Sequence, residues 1–116
     1  MTSNKYIALT DENFRKEVIE SVEPMLVDFY IGWRGSSQIM APVIIELAAE
    51  FEGKIKVGRL DVDNNMQMPA KYAIRTIPTF LIFNDGQVVD HVVGITRKIE
   101  LAEKLYVLLQ KREDRK

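Results

Sequence analysis

Apolar and polar positions alternate along the chain in two distinct rhythms, and the switches between them mark the elements. Tyr6 to Leu9 is a short apolar segment, followed by Thr10-Asp11-Glu12, which has the form of a helix N-cap with acids in the first turn. The helix it predicts presents Phe14, Val18 and Val22 on one side. Met25-Leu26-Val27-Asp28-Phe29-Tyr30-Ile31 is a nearly continuous apolar run, as expected of a central strand covered on both faces. Met40, Val43, Ile44, Leu47, Ala48 and Phe51 then recur at helical spacing, predicting a helix that starts near Ser36 or Ser37 and ends at Gly53. Pro42 lies inside it and removes one backbone donor, so a kink is expected there.

Ile55 to Val62 predicts another strand, and Met68 to Tyr72 a short helical piece. Thr79 to Phe83 and Gln87 to Val93 flank Asn84-Asp85-Gly86, a strong signal for an antiparallel hairpin. Thr96 is placed to cap a last helix whose apolar stripe is Ala102, Leu105, Tyr106 and Leu109. The predicted order is β-α-β-α-β-α-β-β-α. Helical crossovers between the early strands favour parallel pairing, so the fold class is α/β, with a mixed sheet of about five strands between about four helices.

Composition fits this picture. A chain of 116 residues with 47% hydrophobic and 28% charged residues suits one domain with a single core. We read residues 1–110 as that domain and the charged segment 111–116 as a solvated tail. Sixteen basic and seventeen acidic side chains give a net charge of -1, which favours neither nucleic acid nor an anionic membrane. No apolar run has membrane-spanning length, and Met1 to Thr10 lacks a signal peptide's basic start and apolar stretch. A cytoplasmic location is the expectation.

The chain contains no cysteine, so it can carry no disulfide, thiolate metal site, cysteine nucleophile or dithiol cycle of its own. His91 is the single histidine, too far along the chain from Ser37 to suggest a hydrolytic pair. Asp61-Val62-Asp63-Asn64-Asn65 is rich in oxygen ligands but lacks the glycine and closing Glu of a calcium loop, so it is read as a polar turn. Met66 and Met68 are read as helix and core contacts. No metal or cofactor is expected.

A family resemblance rests on several segments in order: Val27-Asp28-Phe29-Tyr30, Trp33-Arg34-Gly35-Ser36-Ser37, Ala41-Pro42, Arg59-Leu60-Asp61-Val62-Asp63, Lys71 to Thr79, Gly86 and Gly94. Over Tyr6 to Leu109 the chain resembles thioredoxin, which implies the thioredoxin fold. The resemblance fails at the redox centre. The family reads Trp-Cys-Gly-Pro-Cys where this chain reads Trp33-Arg34-Gly35-Ser36-Ser37, so Arg34 and Ser37 replace both cysteines and Ser36 replaces the proline.

The resemblance also assigns roles to the remaining positions. Asp28 matches the family's proton-transfer acid, beside Arg59 where the family has Lys, and is read here as a retained buried acid that is neutral or paired with Arg59. Ile77-Pro78 matches a cis-proline loop that offers backbone groups to an extended peptide. Trp33, Arg34, Gly35, Ser36, Ile77, Pro78, Val93 and Gly94 would then form a groove for a protein or peptide strand. Serines at a helix start and the cation of Arg34 make an acidic segment one candidate occupant, against the plainer reading of Ser36 or Ser37 as an N-cap. The expected function is a redox-inactive thioredoxin-like protein, monomeric or weakly dimeric, that binds a protein or peptide through this groove. The alternative is a protein-disulfide oxidoreductase lineage inactivated by cysteine loss.

Overall fold

A computed structural model of the protein describes residues 6–115. Five strands, β1 (Ile7–Leu9), β2 (Met25–Tyr30), β3 (Lys56–Asp61), β4 (Thr79–Asn84) and β5 (Gln87–Val93), form one sheet in the order β1-β3-β2-β4-β5. β1 and β2 flank β3 in parallel, while β2·β4 and β4·β5 are antiparallel. A wide π-helical turn (Arg15–Ile19) and three α-helices cover it: α1 (Gly35–Glu50), α2 (Gln67–Lys71) and α3 (Lys98–Asp114). The expected mixed α/β sandwich is the architecture found. Among the described residues no helix is long and apolar enough to cross a membrane.

Because side chains alternate across a strand, the central strands feed two cores. Leu26, Phe80 and Ile82 pack against Met40, Ile44 and Leu47 of α1 and Leu101, Leu105 and Leu108 of α3. On the opposite face Met25, Val27, Phe29, Leu81 and Phe83 pack against Phe14, Val18 and the α2 segment. Rings of Phe14, Tyr72 and Phe83 meet there pairwise at 5.4–5.8 Å, in tilted or edge contacts favoured by the aromatic quadrupole. This double covering explains why β2 is apolar at nearly every position. The hairpin turns through Asp85 (φ 54°) and Gly86 (φ 80°), the positive-φ pair that Asp-Gly predicts.

Several local expectations are corrected. The first helix stops after one wide turn, so Val22 lies beyond it and is 82% exposed, while Phe14 and Val18 are buried. Thr10 is not its N-cap, a position held by Phe14; in the turn before it Thr10 and Asn13 bond reciprocally, each backbone N–H donating to the other's side-chain oxygen. Asp11 instead accepts from the backbone N–H groups of Gln67 and Met68 at 3.0 and 2.9 Å, capping α2 from 56 residues away. Pro42, by contrast, does not break α1, as expected. Thr96 does not cap α3: Arg97 holds the N-cap position, and the Thr96 hydroxyl donates to Glu100. The buried stripe of α3 is Leu101, Ala102, Leu105 and Leu108. Tyr106 sits at its edge, half exposed, with its ring on Phe51 and its hydroxyl on Glu50.

Met66 is also exposed, at the N-cap of α2, and only Met68 reaches the core. α3 runs into the charged segment as far as Asp114. Arg112 is anchored there by donating to Asn84 Oδ1 at 2.6 Å and to the Val22 carbonyl at 3.2 Å.

Candidate functional site

The sheet register gathers the sequence-predicted groove residues at one end. Phe29 of β2 pairs with Thr79 of β4, and Thr79 pairs with Val93 of β5. The chain leaving β2 (Ile31 to Arg34), the chain entering β4 (Ile77-Pro78) and the chain leaving β5 (Val93-Gly94) therefore emerge side by side. Ile77-Pro78 is a cis peptide, and the Gly94 N–H donates to the Pro78 carbonyl at 2.7 Å, closing the β4 and β5 ends on each other. Gly94 has φ +90°, a conformation costly for residues with a Cβ.

Of the groove residues, Trp33 is 68% exposed and Val93 56%. Arg34 and Gly35 are exposed, Ser36 and Gly94 half-buried, and Pro78 buried. Ile77 is half-buried and packs on the Phe29 core, which limits how much of it a partner could meet. Among the described residues no hydrogen bond joins the 31–37 loop to residues 77–78 or 93–94.

Neither serine is an N-cap. Arg34 has the extended backbone of that position (φ −83°, ψ 141°), its carbonyl accepting from Ser37 and Gln38, and its side chain makes no capping bond. Ser37, 2% exposed, turns inward, and its hydroxyl oxygen accepts from the Ile31 N–H at 3.0 Å. The Ser37 hydroxyl thus fastens the loop to its own helix. His91 cannot serve it as a base: His91 pairs with Leu81, whose side chain is in the core on the α2 side of the sheet, whereas Ser37 is a buried residue of α1 on the other side.

Trp33 is fixed although exposed. Its indole N–H donates to Asp63 Oδ2 at 2.6 Å, and the Arg34 guanidinium lies 5.6 Å from the ring centroid. Asp63 belongs to the polar turn predicted after β3. There Asp61 accepts from the Asp63 N–H and the Asn64 amide, and its backbone carbonyl takes the Asn65 amide. No local pattern signals that this turn holds the tryptophan, because a whole helix and strand separate the two.

Behind the loop, Asp28 and Arg59 stand opposite each other on β2 and β3, 0% and 5% exposed. Arg59 Nε donates to Asp28 Oδ2 at 2.8 Å, and Nη2 donates to the Ser37 carbonyl at 3.0 Å. The guanidinium also lies 4.0 Å from the Tyr30 ring centroid and 5.5 Å from that of Tyr6, a cation–π setting for a buried charge. Asp28 Oδ1 has no hydrogen-bond partner. Burial pushes the Asp28 carboxyl up to about 6, with Arg59 opposing the rise by its charge and hydrogen bond. Burial likewise raises the Tyr30 phenol. Asp28 and Arg59 are thus an ion pair. The link from Arg59 to the Ser37 carbonyl, joining the acid to the helix above it, was not visible in the sequence.

The family model for thioredoxin matches residues 5–106. Thioredoxin 1 of a Nostoc species is 46% identical over 97 residues, covering 84% of this chain and 91% of the relative. Thioredoxin 2 of Chlorobaculum tepidum is 45% identical over 103 residues, covering 89% and 94%. A Staphylococcus aureus thioredoxin is 46% identical over 99 residues, covering 85% and 93%.

Proposed function

Because the chain belongs to the thioredoxin family and has no cysteine, we propose that it is a redox-inactive member that binds a protein or peptide strand at the former substrate groove. Dithiol exchange needs a thiolate to attack and a second thiol to resolve the mixed disulfide. Arg34 and Ser37 supply neither, and the Ser37 hydroxyl is buried in an internal hydrogen bond. The observation carrying the binding reading is Trp33, a large apolar ring left in water yet held in one orientation by Asp63. An exposed, pre-oriented aromatic offers contact area at little cost in conformational entropy when a partner arrives. Exposed Val93 extends the apolar surface, and Arg34 beside the indole favours an acidic segment.

Two measurements test this. In a turbidity assay of insulin disulfide reduction the wild type should match the background, whereas Arg34→Cys/Ser37→Cys should act. Affinity capture from lysate of the source cell should retain a partner on the wild type and lose it with Trp33→Ala/Val93→Asp, both exposed positions whose replacement spares the core. Reduction by the wild type would sink the redox-inactive half of the reading. Equal capture by both proteins would sink the groove.

A further inference from the structure

The charged segment at the end of the chain plays no part in the groove. Its Lys111 and Arg112, in the last turn of α3, and Arg115, at the C-cap, line a cavity of about 470 Å3 between α3 and the edge strand β5. Ile82, Val89, Val107 and Leu108 supply the apolar part of that lining. Val89 reaches it through a β-bulge: Phe83 pairs with Val88 and Ile82 with Asp90, leaving Val89 as the extra residue. Bulges re-aim a side chain in this way. Val89 and Val107 remain 51% and 53% exposed, so the cavity's apolar part is incompletely covered.

The charges around it are unequal. Among the described residues lining the cavity, Lys104, Lys111, Arg112 and Arg115 stand with two acids, Asp90 and Asp114. Asp90 is held by Lys104 at 3.2 Å, and Asp114 accepts from Gln110 at 3.1 Å. Arg112 is held in place by the Asn84 carboxamide and the Val22 carbonyl, both uncharged. The result is an oriented guanidinium with two exposed cations beside it, next to hydrocarbon. The volume falls within the range of small-molecule sites, which are mostly apolar with a few placed polar groups.

We propose that this cavity binds a small amphipathic carboxylate, its hydrocarbon body against Val89, Val107 and Leu108 and its carboxylate at Lys111, Arg112 and Arg115. A single negative charge suits the excess of cations over Asp90 and Asp114, and Arg matches a carboxylate's two oxygens with parallel donors. The site lies on the α3 side of β5, apart from the loops that carry Trp33 and Pro78, and does not depend on the groove.

The test is an amide-shift titration of the isotope-labelled protein with octanoate, with octylammonium as the charge-reversed probe of the same chain length. Octanoate should shift Val89, Val107, Leu108 and Lys111 saturably, with a Kd of about 1 mM or tighter. Lys111→Glu/Arg115→Glu, two exposed positions that leave the Arg112 anchors in place, should weaken it by about tenfold or more. Val107→Asn should weaken it without altering charge. Absence of saturable shifts at these amides, equal binding of octylammonium, or unchanged affinity in the charge-reversed protein would each overturn the proposal.

Discussion

Asp28 and Arg59 occupy paired positions on adjacent parallel strands, and the 2.8 Å bond between them satisfies only one of the two carboxylate oxygens. The ion pair therefore only partly offsets the cost of burying the charge, and the acid's midpoint moves from 3.8 to about 6. A folded-state pKa above the unfolded value means the folded protein binds the proton more tightly. The associated stability is fully present below about pH 4 and lost as pH rises through about 6. At about 1.4 kcal/mol per pH unit, ionising Asp28 removes about 3 kcal/mol. Urea unfolding of the wild type and Asp28→Asn between pH 4 and 8 should show a difference in stability that changes by that amount across the window. A pH-independent difference would contradict the assignment.

Removing the partner tests the same pair from the other side. Arg59→Ala should move the Asp28 midpoint above about 6, read by carboxyl NMR. It should also destabilise the protein at neutral pH, because the ion pair and the bond to the Ser37 carbonyl are lost and the buried acid must take up a proton to fold. An unmoved midpoint would show that Arg59 does not act on the acid.

Ser37→Ala should cost about 1–3 kcal/mol in urea unfolding, since the Ile31 N–H loses its acceptor inside the protein. A change within error would mean that water or another acceptor replaces the hydroxyl.

Asp11→Ala should cost about 1 kcal/mol, as expected for loss of a helix cap. Hydrogen exchange should localise the loss to α2, more than fifty residues from the substitution. Uniform loss of protection, or loss confined to the π-helical turn, would contradict the capping role.

Gly86→Ala should destabilise by about 1–3 kcal/mol. The backbone has φ +80°, and an added Cβ would lie 2.7 Å from the Ile19 carbonyl oxygen. Calorimetry should show a lowered Tm, and an unchanged Tm would mean the turn can move away from the helix.

What could be read from the chain was what is decided locally. The hairpin at Asn84-Asp85-Gly86 needs only a positive-φ turn between two apolar runs, and the buried stripe of α1 needs only its 3.6-residue period. Val22 was misplaced because periodicity says which face is apolar, not where a helix stops. Tyr106 and Met66 were misplaced because an amphipathic or flexible apolar side chain at an edge position suits both water and core.

The sequence by itself determined the order of elements and the absence of any thiol. Only the tertiary structure decided where the polar groups between those landmarks find their partners. Asp63 holds Trp33, Asp11 caps α2, Arg59 reaches the Ser37 carbonyl, and Arg112 ties the end of α3 to Asn84. The physical reason is range. Hydrophobic periodicity and turn preferences act over a few residues, whereas a hydrogen bond of about 3 Å between distant segments exists only once the sheet has brought them together.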